Sequence, residues 1–318
     1  MKPYINCFTG AITHTLNNPN IQESNLMLLG KGFLLRSGYD EYGLPEITFP
    51  VQECGETALR ALGIKFSHHP LTPILNFDEL QILCESNPQG LVAWVNSTHL
   101  SYASLYSINL GYLHSIVIKK VIDKVVHVFD PLVVDIPPYA ICGELSFIHA
   151  KKALTDTVKT DTYHLMGKLL LIKPAPDVSL SNHKKQDNIN LIAKEFFQNK
   201  TYLNAIKHYQ SINMEAYEKA DDYLKKTLSR RIFDHIQVLY ILPLLQMLKL
   251  EINSAKVHAI LEEEIGLWKT IAMMALKNSK ILSDRVFNKI ILTLTQCVQM
   301  RHDYWECVLN ESAHNRCG

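Results

Sequence analysis

Two textures of hydrophobic and polar positions divide the chain. Up to about residue 173, short apolar runs alternate with turns. Leu91–Val95, Ser115–Ile118, Val125–Phe129 and Leu169–Ile172 are β-branched or aliphatic runs that predict short buried strands. Between them Phe77–Cys84 has helical spacing with Asn76 as an available N-cap, and Ser146–Leu154 predicts a second short helix. Lys173–Asn182, with two prolines in a polar stretch, reads as a linker. Beyond it, apolar positions such as Leu191, Ile192 and Phe196, then Val286, Ile290 and Leu294, recur at the period of amphipathic helices. Pro243 is the one proline after the linker, so Ile236–Leu250 is expected to be a buried helix broken near it. The pattern predicts an α+β domain over 1–173, a linker over 174–182 and an all-α region over 183–318.

Composition narrows the class. A chain of 318 residues with 47% hydrophobic and 20% charged residues is an ordinary globular balance, and its length favours two domains. The formal net charge of +1 gives no overall electrostatic case for nucleic acid or an anionic membrane. Ile236–Leu250 is shorter than the roughly 20 apolar residues of a membrane span. The N-terminus shows a lysine without an apolar core or cleavage site, and the seven cysteines are odd in number with no CxxC. Both features lead us to expect a reduced, cytoplasmic protein in which some of the thiols are small buried hydrophobes.

Candidate chemistry sits in Gly111–Pro131. Two β-branched runs flank a polar centre at Ile122–Asp123, which predicts a hairpin. With a turn centred on Ile122, His114 and Asp130 stand directly opposite one another, close enough for the carboxylate to orient the imidazole. This needs an odd-length loop, since an even one sends the two side chains to opposite faces. A histidine held this way can activate a thiol, because a neighbouring imidazolium favours thiolate. Cys7 has the best local context: it opens Phe8–Leu16, a plausible helix whose N-terminal dipole and free N–H groups favour an anion and could hold an oxyanion. The spacing alone is weakly specific. A cysteine near a terminus and a histidine on a strand are commonly packed residues, and His127 and Asp135 compete for the same roles.

The first half resembles the butirosin-pathway BtrH family of papain-like proteins that act as acyltransferases. Cys7 opens the first helix, and Glu23–Phe33 resembles the family's "E…lfglG-x-Gl" segment. Leu91–Tyr102 resembles its strand ending in "vD…L-Y", His114 begins the next strand, Asp130-Pro131 ends the one after, and Glu144–Lys152 resembles the following short helix. Ser229–Phe233 and Gly266–Ala272 resemble its helical C-terminal region. Asn96 departs from the pattern, standing where many relatives carry Asp. The resemblance implies a papain-like catalytic domain with Cys7, His114 and Asp130 as catalytic residues. It also implies an acyl group taken from the phosphopantetheine thioester of an acyl or peptidyl carrier protein and passed to an amine, in secondary-metabolite biosynthesis. Relatives that join carrier-bound acyl chains to diamines, as in closthioamide assembly, fall within it.

Polar groups expected to line the cleft are Glu23, Asn25, Asn96 and Tyr102, although helix-capping is an equal reading of Glu23 and Asn25. No cofactor bound to this chain is expected: a thioester is already activated, and no GxxxxGK[ST] loop occurs. Gly30 and Gly32 read as a turn. No metal is expected either, because His68-His69 with Pro70 reads as a loop without a third ligand. His302, Cys307, His314 and Cys317 lack zinc-site spacing, and a disordered tail is expected after the last helix. Arg230-Arg231 reads as a solvated helix face, with an acidic carrier or a phosphate as the other option. The pattern leaves room for a homo-oligomer. A cysteine peptidase or amidase, and a non-catalytic papain-fold scaffold, remain the alternative functions.

Overall fold

The computed structural model describes residues 4–71, 76–108, 111–133, 139–159, 161 and 164–314; Asp135, Cys317 and the expected disordered tail lie outside them. The chain forms two compact units, one of residues 1–26 and 51–180 and the other of 27–50 and 181–318. Residues 27–50, which the sequence pattern leaves in the first half, therefore group with the helical one.

In chain order the first half gives α1 (Cys7–Leu16), α2 (Glu23–Leu29), the hairpin β1 (Arg36–Tyr39) and β2 (Pro45–Thr48), α3 (Val51–Ala61), β3 (Phe66–Pro70) and α4 (Phe77–Ser86). There follow β4 (Leu91–Asn96), a 3₁₀ turn at Ser97–His99, α5 (Ser104–Ile108), β5 (Leu113–Ile122), β6 (Val125–Asp130), β7 (Ile141–Ser146), α6 (Phe147–Thr155) and β8 (Lys168–Ile172). The hairpin β1–β2 lies in the second unit.

The first unit is built on one antiparallel sheet of order β3-β8-β4-β5-β6-β7. β4 is buried along its whole length, which is why Leu91–Val95 reads as a continuous apolar run rather than an alternating one. One face carries α1, with Phe8 against Trp94 at 4.7 Å between ring centroids and His14 stacked on Phe129 at 3.7 Å. The other face packs Ala93, Val95, Ile116, Ile118, Val126 and Val128 against Leu80, Tyr106, Ala150 and Leu154. Each large aliphatic side chain so buried contributes about 1.5–3 kcal/mol, and together they fix the strands that carry the site.

Asn76 caps α4 as expected, accepting the Glu79 N–H at 2.7 Å, while Ser146 caps α6 instead of forming its first turn. The segment around His68-His69 is an edge strand, not a loop. Pro70 ends it, where a missing N–H is tolerated. The proline-rich segment is also less free than a linker. The Asn18 amide donates to the carbonyls of Ala175 and Val178, both at 2.8 Å, so it stays with the first unit up to Leu180.

The second unit continues with α7 (Asn182–Gln198), α8 (Lys200–Leu203), α9 (Ala205–Lys219), α10 (Asp222–Phe233), a π-helical segment Asp234–Leu239, α11 (Ile241–Leu250), α12 (Ala255–Lys280) and α13 (Asp284–His314). The expected break falls at Tyr240, three residues before Pro243. Proline is tolerated there in the first turn of α11, where its ring excludes a bond to the Leu239 carbonyl. Trp268 and Trp305 anchor the core of this unit. Arg230 pairs with Asp234 and Arg231 with Asp40, so both side chains have carboxylate partners. His302 stands beside Asp303 and Glu306, whereas Cys307 is buried. Among the described residues no helix is long and apolar enough to cross a membrane.

Candidate active site

The His114–Asp130 pairing is real, but the register that produces it differs from the expected one. The β5–β6 turn is Asp123-Lys124, both with positive φ (48° and 64°), the conformation of a two-residue type I′ turn. An even loop alone would put His114 and Asp130 on opposite faces. A β-bulge rescues the parity: Lys120 pairs with His127 but Ile118 with Val128, so Lys119 is an extra residue on β5. Continuing that register sets Asp130 opposite Ile116, with His114 one pleat further along the same face. His127 points to the other face and lies 3.3 Å from Glu144.

His114 Nε2 donates to Asp130 Oδ1 at 2.9 Å, and both residues are buried. The same Oδ1 accepts the Leu132 N–H at 3.0 Å, while Oδ2 accepts the hydroxyls of Tyr106 at 2.6 Å and Tyr102 at 2.9 Å. With Nε2 committed to Asp130, Nδ1 is the ring nitrogen left for Cys7, which shares a hydrogen bond with His114. Burial pulls the imidazole pKa down, but the charge of Asp130 and then that of Cys7 outweigh it, and His114 is raised to about 10. Asp130 is pushed up by burial and pulled down further by the His114 charge and its hydrogen bonds, for a net value below the usual carboxylate range. Tyr102 and Tyr106 are driven well above ordinary tyrosines, first by burial and then by the Asp130 charge, so both remain donors.

Cys7 is the first residue of α1, half-buried at the sheet end where β5 begins and β6 ends. The Asn6 side chain caps the helix by accepting the N–H groups of Phe8 and Thr9 at 2.9 and 3.0 Å. Among the described residues the Cys7 N–H has no backbone acceptor, which suits it to an oxyanion. Gly10 sets the position of the helix. A Cβ there would stand 2.9 Å from the side chains of both Pro131 and Tyr4, so only glycine lets α1 lie against the residue that follows Asp130.

Glu23 does not line an open cleft. Fully buried, it accepts the Ile5 and Asn6 N–H groups at 2.9 and 3.1 Å and the Thr9 hydroxyl at 2.6 Å, bracing the turn that leads into Cys7. Burial raises its carboxyl to about 7 against the pull of those three donors. Asn25 is buried and accepts the Gln22 N–H at 3.0 Å, a capping role at the start of α2. Asn96 caps the 3₁₀ turn by accepting the Thr98 N–H at 3.0 Å. Of the four residues expected to meet substrate, Tyr102 joins the constellation, and it does so through Asp130.

Tyr106 and Tyr112 were not legible as site residues. Tyr112, half-buried two residues before His114, hydrogen-bonds Tyr106 and feels the charge of Cys7. The other described thiols contrast with Cys7. Burial pushes Cys84 up to about 12 and Cys297 higher still, which makes them inert, while Cys142 is exposed on β7. Comparison with known proteins returns no matching family model and no matching curated relative.

Proposed function

We propose that this chain is a cysteine acyltransferase with a papain-like catalytic unit, forming amides from carrier-protein thioesters. The single observation that carries the reading is the buried His114–Asp130 pair at 2.9 Å with Cys7 hydrogen-bonded to the same imidazole. An imidazole that holds its proton at neutral pH beside a thiol at a helix N-terminus is the setting in which cysteine acts as a nucleophile. The likeness of the sequence to BtrH-type acyltransferases points that nucleophile toward a thioester.

In the proposed cycle the Cys7 thiolate attacks the thioester carbonyl, and the tetrahedral oxyanion is met by the Cys7 N–H. The carbon–sulfur bond to phosphopantetheine breaks, and the departing thiolate takes its proton from His114. An amine or diamine then adds to the acyl-enzyme while neutral His114 Nδ1 accepts its proton. Expulsion of the Cys7 thiolate releases the amide and restores the ion pair.

Incubation with an acyl-pantetheine thioester and a primary diamine, with products read by chromatography and mass spectrometry, tests the assignment. Amide formation that disappears in Cys7→Ala supports it. Free acid as the sole product at saturating amine would make the protein a hydrolase of the same nucleophile, and no turnover with any loaded carrier would favour a scaffold.

A further inference from the structure

We propose that Tyr102 and Tyr106 are positioning residues: a two-hydroxyl clamp that holds Asp130 ionised and in one rotamer, and through His114 sets the reactivity of Cys7. The inference rests on the Cys7–His114–Asp130 reading and extends it to the two tyrosines that donate to Asp130.

A carboxylate removed from water is costly unless each oxygen finds donors. Asp130 is 0% exposed, and its four donors divide evenly between the two oxygens. Oδ1 takes His114 Nε2 and the Leu132 N–H, and Oδ2 takes Tyr106 and Tyr102. Without the tyrosines, Oδ2 would be an orphan acceptor and the carboxylate free to rotate away from the imidazole. Among the described residues the other titratable groups facing the pair are Cys7 from α1 and Tyr112 from the segment before β5.

The clamp is built into the fold rather than gathered by chance. Tyr106 lies in α5 and its ring is fully buried, meeting the Tyr102 ring edge-on at 5.9 Å and the His114 ring at 5.5 Å. Tyr102 reaches Asp130 because Gly143 of β7 has no side chain. A Cβ at 143 would lie 2.5 Å from the Tyr102 ring, so an alanine there would displace the hydroxyl. From Tyr106 the network runs on to Tyr112, whose hydroxyl feels the charge of Cys7.

The test uses the full chain and needs no acyl substrate. Asp130 is followed by carbon NMR of ¹³C-labelled aspartate, its resonance assigned by Asp130→Asn, and Cys7 by its alkylation rate with iodoacetamide at pH 6. In Tyr106→Phe the protonation midpoint of Asp130 should rise by about one pH unit, the scale of one lost hydrogen bond to a charge. Cys7 alkylation should fall about tenfold, toward that of His114→Ala. Tyr102→Phe should move both in the same direction by less, and it serves if Tyr106→Phe does not fold. An unmoved Asp130 midpoint, or a shifted midpoint with unchanged Cys7 alkylation, overturns the clamp. Failure of the acyltransfer reading is told apart from either result, because there His114-dependent alkylation persists while acyl thioesters leave no adduct.

Discussion

Among the described residues two ion pairs have both partners buried, and they differ in what surrounds them. In the first unit, His114 meets Asp130 at 2.9 Å with every carboxylate lone pair directed at a donor. In the second, Arg301 meets Glu264 at 2.7 Å, and Glu264 Oε1 also accepts the Trp268 N–H at 3.0 Å. Among the described residues Glu264 Oε2 and Arg301 Nη1 have no partner, and the adjacent thiol, Cys297, is fully buried with its pKa driven up by burial. Burial and pairing are therefore common to both. What separates them is a cation that can give up its proton, a carboxylate whose orientation is fixed, and a thiol open enough to be reached. Arginine supplies none of the first, since its guanidinium does not deprotonate in proteins.

The largest expected effect breaks the comparison on the catalytic side. Cys7→Ala should remove acyl-enzyme formation altogether while shifting the thermal midpoint by only a few degrees, read by mass spectrometry and calorimetry on the same sample. Asp130→Asn, which keeps the volume but exchanges the anion for an amide, should slow acylation by about 10²–10⁴-fold, the range expected when a histidine loses its orienting carboxylate.

The second pair should behave in the opposite way. Glu264→Ala leaves the Arg301 guanidinium buried and uncompensated, so urea unfolding should show a loss of about 3–5 kcal/mol, with Cys7 alkylation per folded molecule unchanged. A loss of Cys7 reactivity without a loss of stability would erase the distinction between the two pairs.

The pH dependence of stability sharpens it. His114 is raised to about 10 against an ordinary value near 6.5. A group raised in this way contributes fully below its unfolded value and loses its contribution as pH climbs through the folded one. The urea midpoint should thus decline between about pH 6.5 and 10, and His114→Gln should flatten that decline. Asp130 acts with the opposite sign: held low, it contributes above its ordinary value near 3.9 and loses that contribution as pH falls through its folded value.

The smallest effect concerns geometry. Gly10→Ala gains about 1 kcal/mol of helix propensity, but its Cβ meets Pro131 and Tyr4 at 2.9 Å, a clash of about 1–3 kcal/mol. Slight net destabilisation and a several-fold slower alkylation of Cys7 are expected. A stabilised variant with full reactivity would show that the approach of α1 to Pro131 does not position the thiol.

How much of this could be read in the sequence follows from what each feature depends on. β4, β5, β6 and β8 were legible because short runs rich in β-branched and aliphatic residues record burial in the sheet, on both faces in β4 and on alternate positions in β6, and the helices of the second unit because their apolar positions recur at the helical period. β7 was missed: Ile141–Ser146 carries a glycine and an exposed cysteine and glutamate, so its inward positions make too short a pattern. The hairpin β1–β2 and its membership of the helical unit depend on tertiary packing alone. Residue type and spacing made Cys7, His114 and Asp130 candidates and the family resemblance set them above coincidence, but the argument for the His114–Asp130 pairing assumed a turn centred on Ile122. The real turn is Asp123-Lys124, an even loop, and the bulge at Lys119 that restores the pairing leaves no compositional trace. The tyrosine clamp did leave a trace, in the four-residue spacing of Tyr102 and Tyr106 and in Tyr112 two positions before His114. Its meaning needed the glycine at 143 and the buried oxygen it serves.

The most direct test of the central claim is to trap the acyl-enzyme with an acyl-pantetheine thioester in the absence of amine, quench in acid and map the adduct by peptide mass spectrometry. The account predicts one acyl group per chain, on Cys7, lost in His114→Ala and discharged as amide when an amine is added before the quench. An adduct on the exposed Cys142, or one on Cys7 that forms equally fast without His114, would contradict it.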